Sequence, residues 1–217
     1  DCEAAAPIAL TVAEVQRVIS QAVQEAQARG AAATIAVVDR VGNVLAVFKM
    51  QGAAATFTIT SERGAVGGLE NVAIVPSQYA AISKAITGAY LSSEGNAFTT
   101  RTANQIVQEN FNPGEINSPG GPLFGVQFSS LSCSDITRHA SEGTAGPKNA
   151  PLGLAADPGG LPLYKNGTVV AGVGVIADGK YGGDSNIFDV DESVDELIAV
   201  AATRGFDAPA DRRAERI

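Results

Sequence analysis

One histidine, one methionine and two cysteines are the soft or borderline metal ligands in this chain of 217 residues. His139 stands in a stretch with no helical or strand periodicity. From there an imidazole can swing over a pocket as a ligand, or simply remain a solvated loop histidine. Met50 ends an apolar run, where its thioether can act as a ligand or fill the core. Cys2 and Cys133 lack C-x-x-C spacing, so zinc and thioredoxin-like chemistry are not indicated. No G-x-S-x-G occurs, and no Ser or Asp stands at an informative spacing from the histidine, which leaves nucleophilic catalysis without support. Lys84 lies in an Ala- and Ile-rich helical stretch. Its ammonium can neutralise a ligand carboxylate, or it can snorkel at the surface.

Two further patterns have plainer explanations. The acidic stretch 178–192 holds Asp178, Asp184, Asp189, Asp191 and Glu192, a density of oxygen donors suited to Ca²⁺. Its spacing fits no EF-hand loop, so a solvated loop and carboxylates at a helix N-terminus account for it. Gly172-Val173-Gly174-Val175-Ile176-Ala177 matches G-x-G-x-x-A, but the glycines fall inside a strand and no helix follows. They are read as the mark of a helix lying close over a sheet.

These residues must be positioned by an ordinary globular chain, 45% hydrophobic and 18% charged. Fifteen basic against 23 acidic residues give a net charge of −8, which excludes nucleic acid and anionic membrane surfaces as partners. No apolar stretch reaches the roughly 20 residues that span a bilayer. A disulfide between Cys2 and Cys133 would close a very long loop and stabilise by at most about 4–5 kcal/mol; two unpaired thiols are the alternative. A chain that starts at Asp1 without a leader is either cytoplasmic or a mature chain whose signal peptide is removed, and with the bridge a periplasmic or secreted protein is expected.

Thr11-Val12-Ala13-Glu14 has the form of a capping box, and apolar residues then recur at helical spacing up to Gly30. Strands are predicted over 33–39 and 44–50 around Arg40-Val41-Gly42-Asn43. Residues 53–78 read as mostly irregular. Helices follow over about 79–91 and 100–110, then a short strand over 126–129 and a long loop over 130–157. Leu161 to Tyr164 and Thr168 to Ile176 form a hairpin whose Asn166-Gly167 suits a type I′ turn. A last helix spans about 192–204, before a charged tail. Helix, hairpin, helices, hairpin, helix argues for an α+β fold: a single antiparallel sheet of about five strands flanked by helices, one domain over 1–217.

The segment Pro158-Gly159-Gly160-Leu161-Pro162 with Gly172-Val173-Gly174-Val175 resembles the "PGG-x-P-I…G-x-x-V-G-x-x-G-V" pattern of the GlcG/HbpS-like family, the haem-degrading or DUF336 domain. Ile35 to Asn43 is similar to its "siaVvD-x-x-G". Lys49-Met50-Gln51-Gly52-Ala53 is similar to "R-M-D-G-A", with Lys for Arg and Gln for Asp. Ser83-Lys84-Ala85-Ile86-Thr87 is similar to "x-K-A-x-T-A". The chain departs from the family at about 58–78 and 130–157, which read as insertions, and at Ile176-Ala177-Asp178-Gly179, where "S-G" is usual.

The resemblance implies a profilin-like fold, a homo-oligomer, and a ligand that is haem, another tetrapyrrole or a small organic acid. It places Lys84, Met50, Gly52, Gly159, Gly160 and Pro162 at the ligand, held between the helix carrying Lys84 and the turn 159–163, and makes His139 the candidate haem ligand. A ligand-binding protein without catalysis is the leading expectation. A haem-degrading or redox-assisting enzyme and a structural assembly subunit are the alternatives.

Overall fold

The computed structural model describes residues 8–62, 64, 66–106, 120–121, 148–184, 190 and 192–213. The chain opens with α1 (Val12–Ala28), whose Thr11 and Glu14 form the capping box: Thr11 Oγ1 accepts from the Glu14 amide, and a Glu14 carboxylate oxygen accepts from the Thr11 amide at 2.7 Å. Gly30 ends that turn at φ +65°.

Strands β1 (Thr34–Asp39) and β2 (Val44–Lys49) form the first hairpin. After β3 (Thr56–Ile59) and β4 (Val75–Pro76) come α2 (Ser77–Leu91) and α3 (Thr100–Ile106). The second hairpin is β5 (Gly160–Lys165) and β6 (Thr168–Ile176), turning at Asn166 (φ +51°) and Gly167 (φ +79°), as a type I′ turn requires. β7 (Lys180–Tyr181), α4 (Val194–Ala202) and a 3-10 turn (Ala210–Arg212) follow among the described residues.

The main sheet has the order β2-β1-β6-β5 and is antiparallel throughout. Four strands of it lie among the described residues, compatible with the sheet of about five that was expected. The other strands form a small second sheet, β4-β3-β7, in which β3 and β7 run parallel. Within the stretch 53–78 that reads as mostly irregular, only β3, β4 and the first two residues of α2 are regular, and the described residues of 60–74 carry no helix or strand. The strand expected at 126–129 lies outside the described residues.

Strand β1 is covered on both faces. Ile35 and Val37 join α1 and α4 in one core with Val173 and Val175, while Ala36 and Val38 face α2 in the other. α2 lies very close to the sheet because the residues between them are small. Ala80, Ala81, Ala85 and Ala89 are fully buried. A Cβ on Gly172 would strike the Ala85 carbonyl oxygen, and one on Gly174 the Ala81 carbonyl oxygen. The two strand glycines thus mark helix contact. At the open edge, β2 exposes Val44, Leu45, Val47 and Phe48, each 41–48% accessible.

Candidate functional site: a buried lysine between two carboxylates

Because α2 sits so low on the sheet, Lys84 is completely buried. Its ammonium donates to Val175 O at the end of β6 (2.9 Å) and to Asp195 Oδ2 (2.7 Å), and it pairs with Asp157. Those three acceptors use all three of its protons.

Asp195 sits in the first turn of α4, behind the Ser193 N-cap. Its second oxygen accepts from the Ala177 and Asp178 amides at 2.7 and 3.3 Å. Asp157 stands just before the β5 entry and also accepts from the Gly182 amide at 2.8 Å. One cation and two anions therefore join α2, β6, α4, β7 and the approach to β5.

The electrostatics follow from this count. Burial works to lower the Lys84 ammonium, but the Asp157 and Asp195 charges outweigh it and hold the group above the usual lysine value. Burial pushes the Asp157 carboxyl up to about 6; Lys84 and the Gly182 amide oppose the rise, and the Asp195 charge adds to it. Burial and then Asp195 raise Asp178, and burial and then Asp157 raise the Tyr181 phenol. With one ammonium and two carboxylates, the triad carries a surplus negative charge.

Asp157 also lines a cleft with two lobes that share Thr60, Asp157, Gly182 and Gly183. One lobe, of about 430 Å³, has an apolar wall of Ile59, Leu69, Leu154 and Tyr181. The other, of about 190 Å³, is ionic, with Glu62, Asp178, Lys180 and Asp184. Its cations are committed: Lys180 pairs with Glu62 at 2.6 Å, and Arg101, behind the lobe, with Asp184 at 2.7 Å and Glu196 at 2.9 Å.

The sequence-predicted site residues fall in three places. Lys84, Gly159 and Gly160 come together, but as packing. A Cβ on Gly160 would strike Lys84 O and Thr100 Cγ2, and one on Gly88 would lie 2.6 Å from the Leu161 carbonyl carbon. The Gly160 amide is already donated to Thr100 Oγ1 at 3.0 Å. The glycines thus bring the backbones of α2 and the turn 159–163 into direct contact at Gly88 and Gly160.

Pro162 lies elsewhere, in a separate cavity of about 230 Å³ with Leu161, Val200, Thr203, Asp207 and Arg213. Met50 packs on the α1 core, its sulfur 3.4 Å from the Ala33 amide as acceptor, and Gly52 turns the chain after it at φ +87°.

His139, Cys2, Cys133, Asp189 and Asp191 lie outside the described residues. Among the described residues no group of three or more His, Cys, Asp or Glu is placed to hold a metal ion. Asp157 and Asp195 are the residues that sequence reasoning missed. The available signals were Asp157 immediately before Pro158-Gly159-Gly160, and Asp195 two positions after a helix-capping serine.

The architecture is that of an α+β domain shared with known structures. PduOC, solved as a haem complex, superposes with a TM-score of 0.52 at 18% identity, covering 93% of this chain and 98% of that one. Klebsiella pneumoniae protein ORFY, of family DUF336, superposes with a TM-score of 0.51 at 21% identity, covering 95% and 97%. In sequence, residues 10–67 match the family model described as "Haem degrading protein HbpS-like". The chain resembles the HbpS-like family in its first helix and hairpin, and has the fold of DUF336 and PduOC structures over nearly its whole length. No curated protein matches it.

Proposed function

We propose that this chain is a haem-binding protein, active as a homo-oligomer in an oxidising compartment. The observation that carries the ligand is the match of residues 10–67 to a haem-degrading family; the shared fold with PduOC, solved with haem, supports it.

The Pro162 cavity is the place whose residues fit an amphipathic acid. Leu161, Pro162, Val200, Ala97 and Ala208 give apolar walls, and Arg213 supplies a cation for a carboxylate. At about 230 Å³ it is smaller than clefts that enclose drug-sized ligands, roughly 300–1,000 Å³. A small organic acid fits whole, whereas a tetrapyrrole enters by one edge and leaves the rest for another surface. The exposed apolar strand β2 is the surface that suits a second copy. Pairing of Cys2 with Cys133 would accord with a periplasmic or secreted location.

Haem titration followed by absorbance tests the reading on the wild type, Arg213→Ala and His139→Ala. Saturable binding with a Soret shift, weakened in Arg213→Ala, is expected. Loss of the shift in His139→Ala would identify the axial ligand. Absence of saturable binding in the wild type overturns the haem assignment.

A further inference from the structure

Residues 148–158 cross α2 with no helix and only one isolated bridge, Pro151 with Gly153. Side chains of the helix hold this segment in place. The Lys148 amide donates to the Tyr90 hydroxyl at 2.7 Å, the Leu152 amide to Ser83 Oγ at 3.0 Å and the Ala155 amide to Thr87 Oγ1 at 2.7 Å. Asp157 then pairs with Lys84. Ser83, Thr87 and Tyr90 stand at i, i+4 and i+7 on one face of α2, with Lys84 beside them. Two contacts reach beyond the helix: the Lys148 amide also meets Val41 O at 2.9 Å, and Asp157 accepts from the Gly182 amide at 2.8 Å.

The segment adds little apolar packing of its own. Ala150 and Ala155 are buried but small, Leu152 is half-buried, and Leu154 and Ala156 face the lobe of about 430 Å³. A stretch held by a few polar anchors, without a strand ladder or a large buried side chain, opens at a lower free energy than the core strands. Its anchors follow one another too closely to loop out singly. Within it the Gly153 amide closes a turn on Ala150 O at 3.2 Å, a contact that needs nothing from α2.

We propose that residues 148–158 form a detachable strap, which lifts from α2 as one unit while the four-stranded sheet stays whole and so uncovers Ser83, Lys84 and Thr87. Asp157 makes the strap self-occluding, because its carboxylate occupies the Lys84 ammonium from within the chain. Opening withdraws that one acceptor, while Asp195 and Val175 O remain on the body of the domain. The strap is independent of the haem reading, since it lies apart from the Pro162 cavity.

Amide hydrogen exchange followed by NMR tests this on the wild type, Thr87→Val and Tyr90→Phe, each variant being read at amides whose own partner it leaves in place. In the wild type the Leu152 and Ala155 amides should share one protection factor, at least tenfold below those of β1 and β6. Thr87→Val deletes the acceptor of Ala155 and should lower protection at Leu152 about tenfold. Tyr90→Phe deletes the hydroxyl at Lys148 and should lower protection at both Leu152 and Ala155. β1 and β6 should remain the more protected in each variant. Exchange of Leu152 and Ala155 only together with β1 and β6 in the wild type overturns the proposal, and so does a variant whose effect stops at the anchor it deletes.

Discussion

Lys84 Nζ lies 2.7 Å from Asp195 Oδ2, an ion pair between helices packed on opposite faces of the sheet. α2 and α4 are separated by the main sheet, yet their side chains meet at the end of β6, where Val175 O completes the ammonium's shell. The pair is a fastening across the sheet end, and Asp157 is the arm of it that meets the cleft.

Lys84→Met should therefore be strongly destabilising. Removing one partner of a buried ionic cluster costs about 3–5 kcal/mol, because the remaining charges stay buried without compensation. Urea unfolding at pH 7.5 measures this. Part of the loss should return at pH 5, where Asp157 can take up a proton.

Asp157 also imposes a sign on the acid limb of the wild type. Its folded pKa, about 6, lies above its unfolded value of 3.8, so the folded state binds more protons between those values. Its contribution is favourable at low pH and is lost as pH rises from about 4 to 6. Glu14, lowered to about 2 by the Thr11 amide and Lys165, acts the opposite way: its contribution is lost as pH falls from about 4.5 to 2. Unfolding midpoints from pH 3 to 8 should show the rising-pH loss in the wild type and a smaller one in Asp157→Asn, where the raised Asp178 remains.

Gly174→Ala should destabilise by about 1–3 kcal/mol, since the added methyl meets the Ala81 backbone oxygen and the Ala85 amide, neither of which can rotate away. Gly95→Ala, whose Cβ would meet only the Ser93 hydroxyl at 3.6 Å, is the matched control and should lie within about 0.5 kcal/mol of wild type.

Val47→Lys should reduce the proposed oligomer to a monomer, because a charge on an edge strand opposes strand addition. Light scattering after gel filtration reads the mass. An unchanged oligomer would show that β2 is not the interface, and a monomeric wild type would remove the assembly altogether.

The α1 capping box, the Asn166-Gly167 turn and the packing role of Gly172 and Gly174 were legible because each rests on local rules of backbone and spacing. The second sheet was not. β4 and β7 have two residues each, too few for any periodicity, and Thr58 pairs with Lys180 across most of the chain. Lys84 was noticed for its motif and its polar head, but its burial depends on two carboxylates 73 and 111 positions away (157 − 84 and 195 − 84). Gly159 and Gly160 were noticed as points of close approach; what approaches them is the protein itself, Asp195 and the Val175 carbonyl at Gly159 and the Lys84 carbonyl and Thr100 at Gly160.

The parallel pairing of β3 with β7 has a kinetic consequence. Its partners are 122 residues apart (180 − 58), and only two register pairs hold them. A contact of such long range with so little ladder forms after the local hairpins have closed, and it opens first under native conditions. The amides of β3 and β7 should therefore exchange faster than those of β1 and β6, through a local opening that leaves the four-stranded sheet whole.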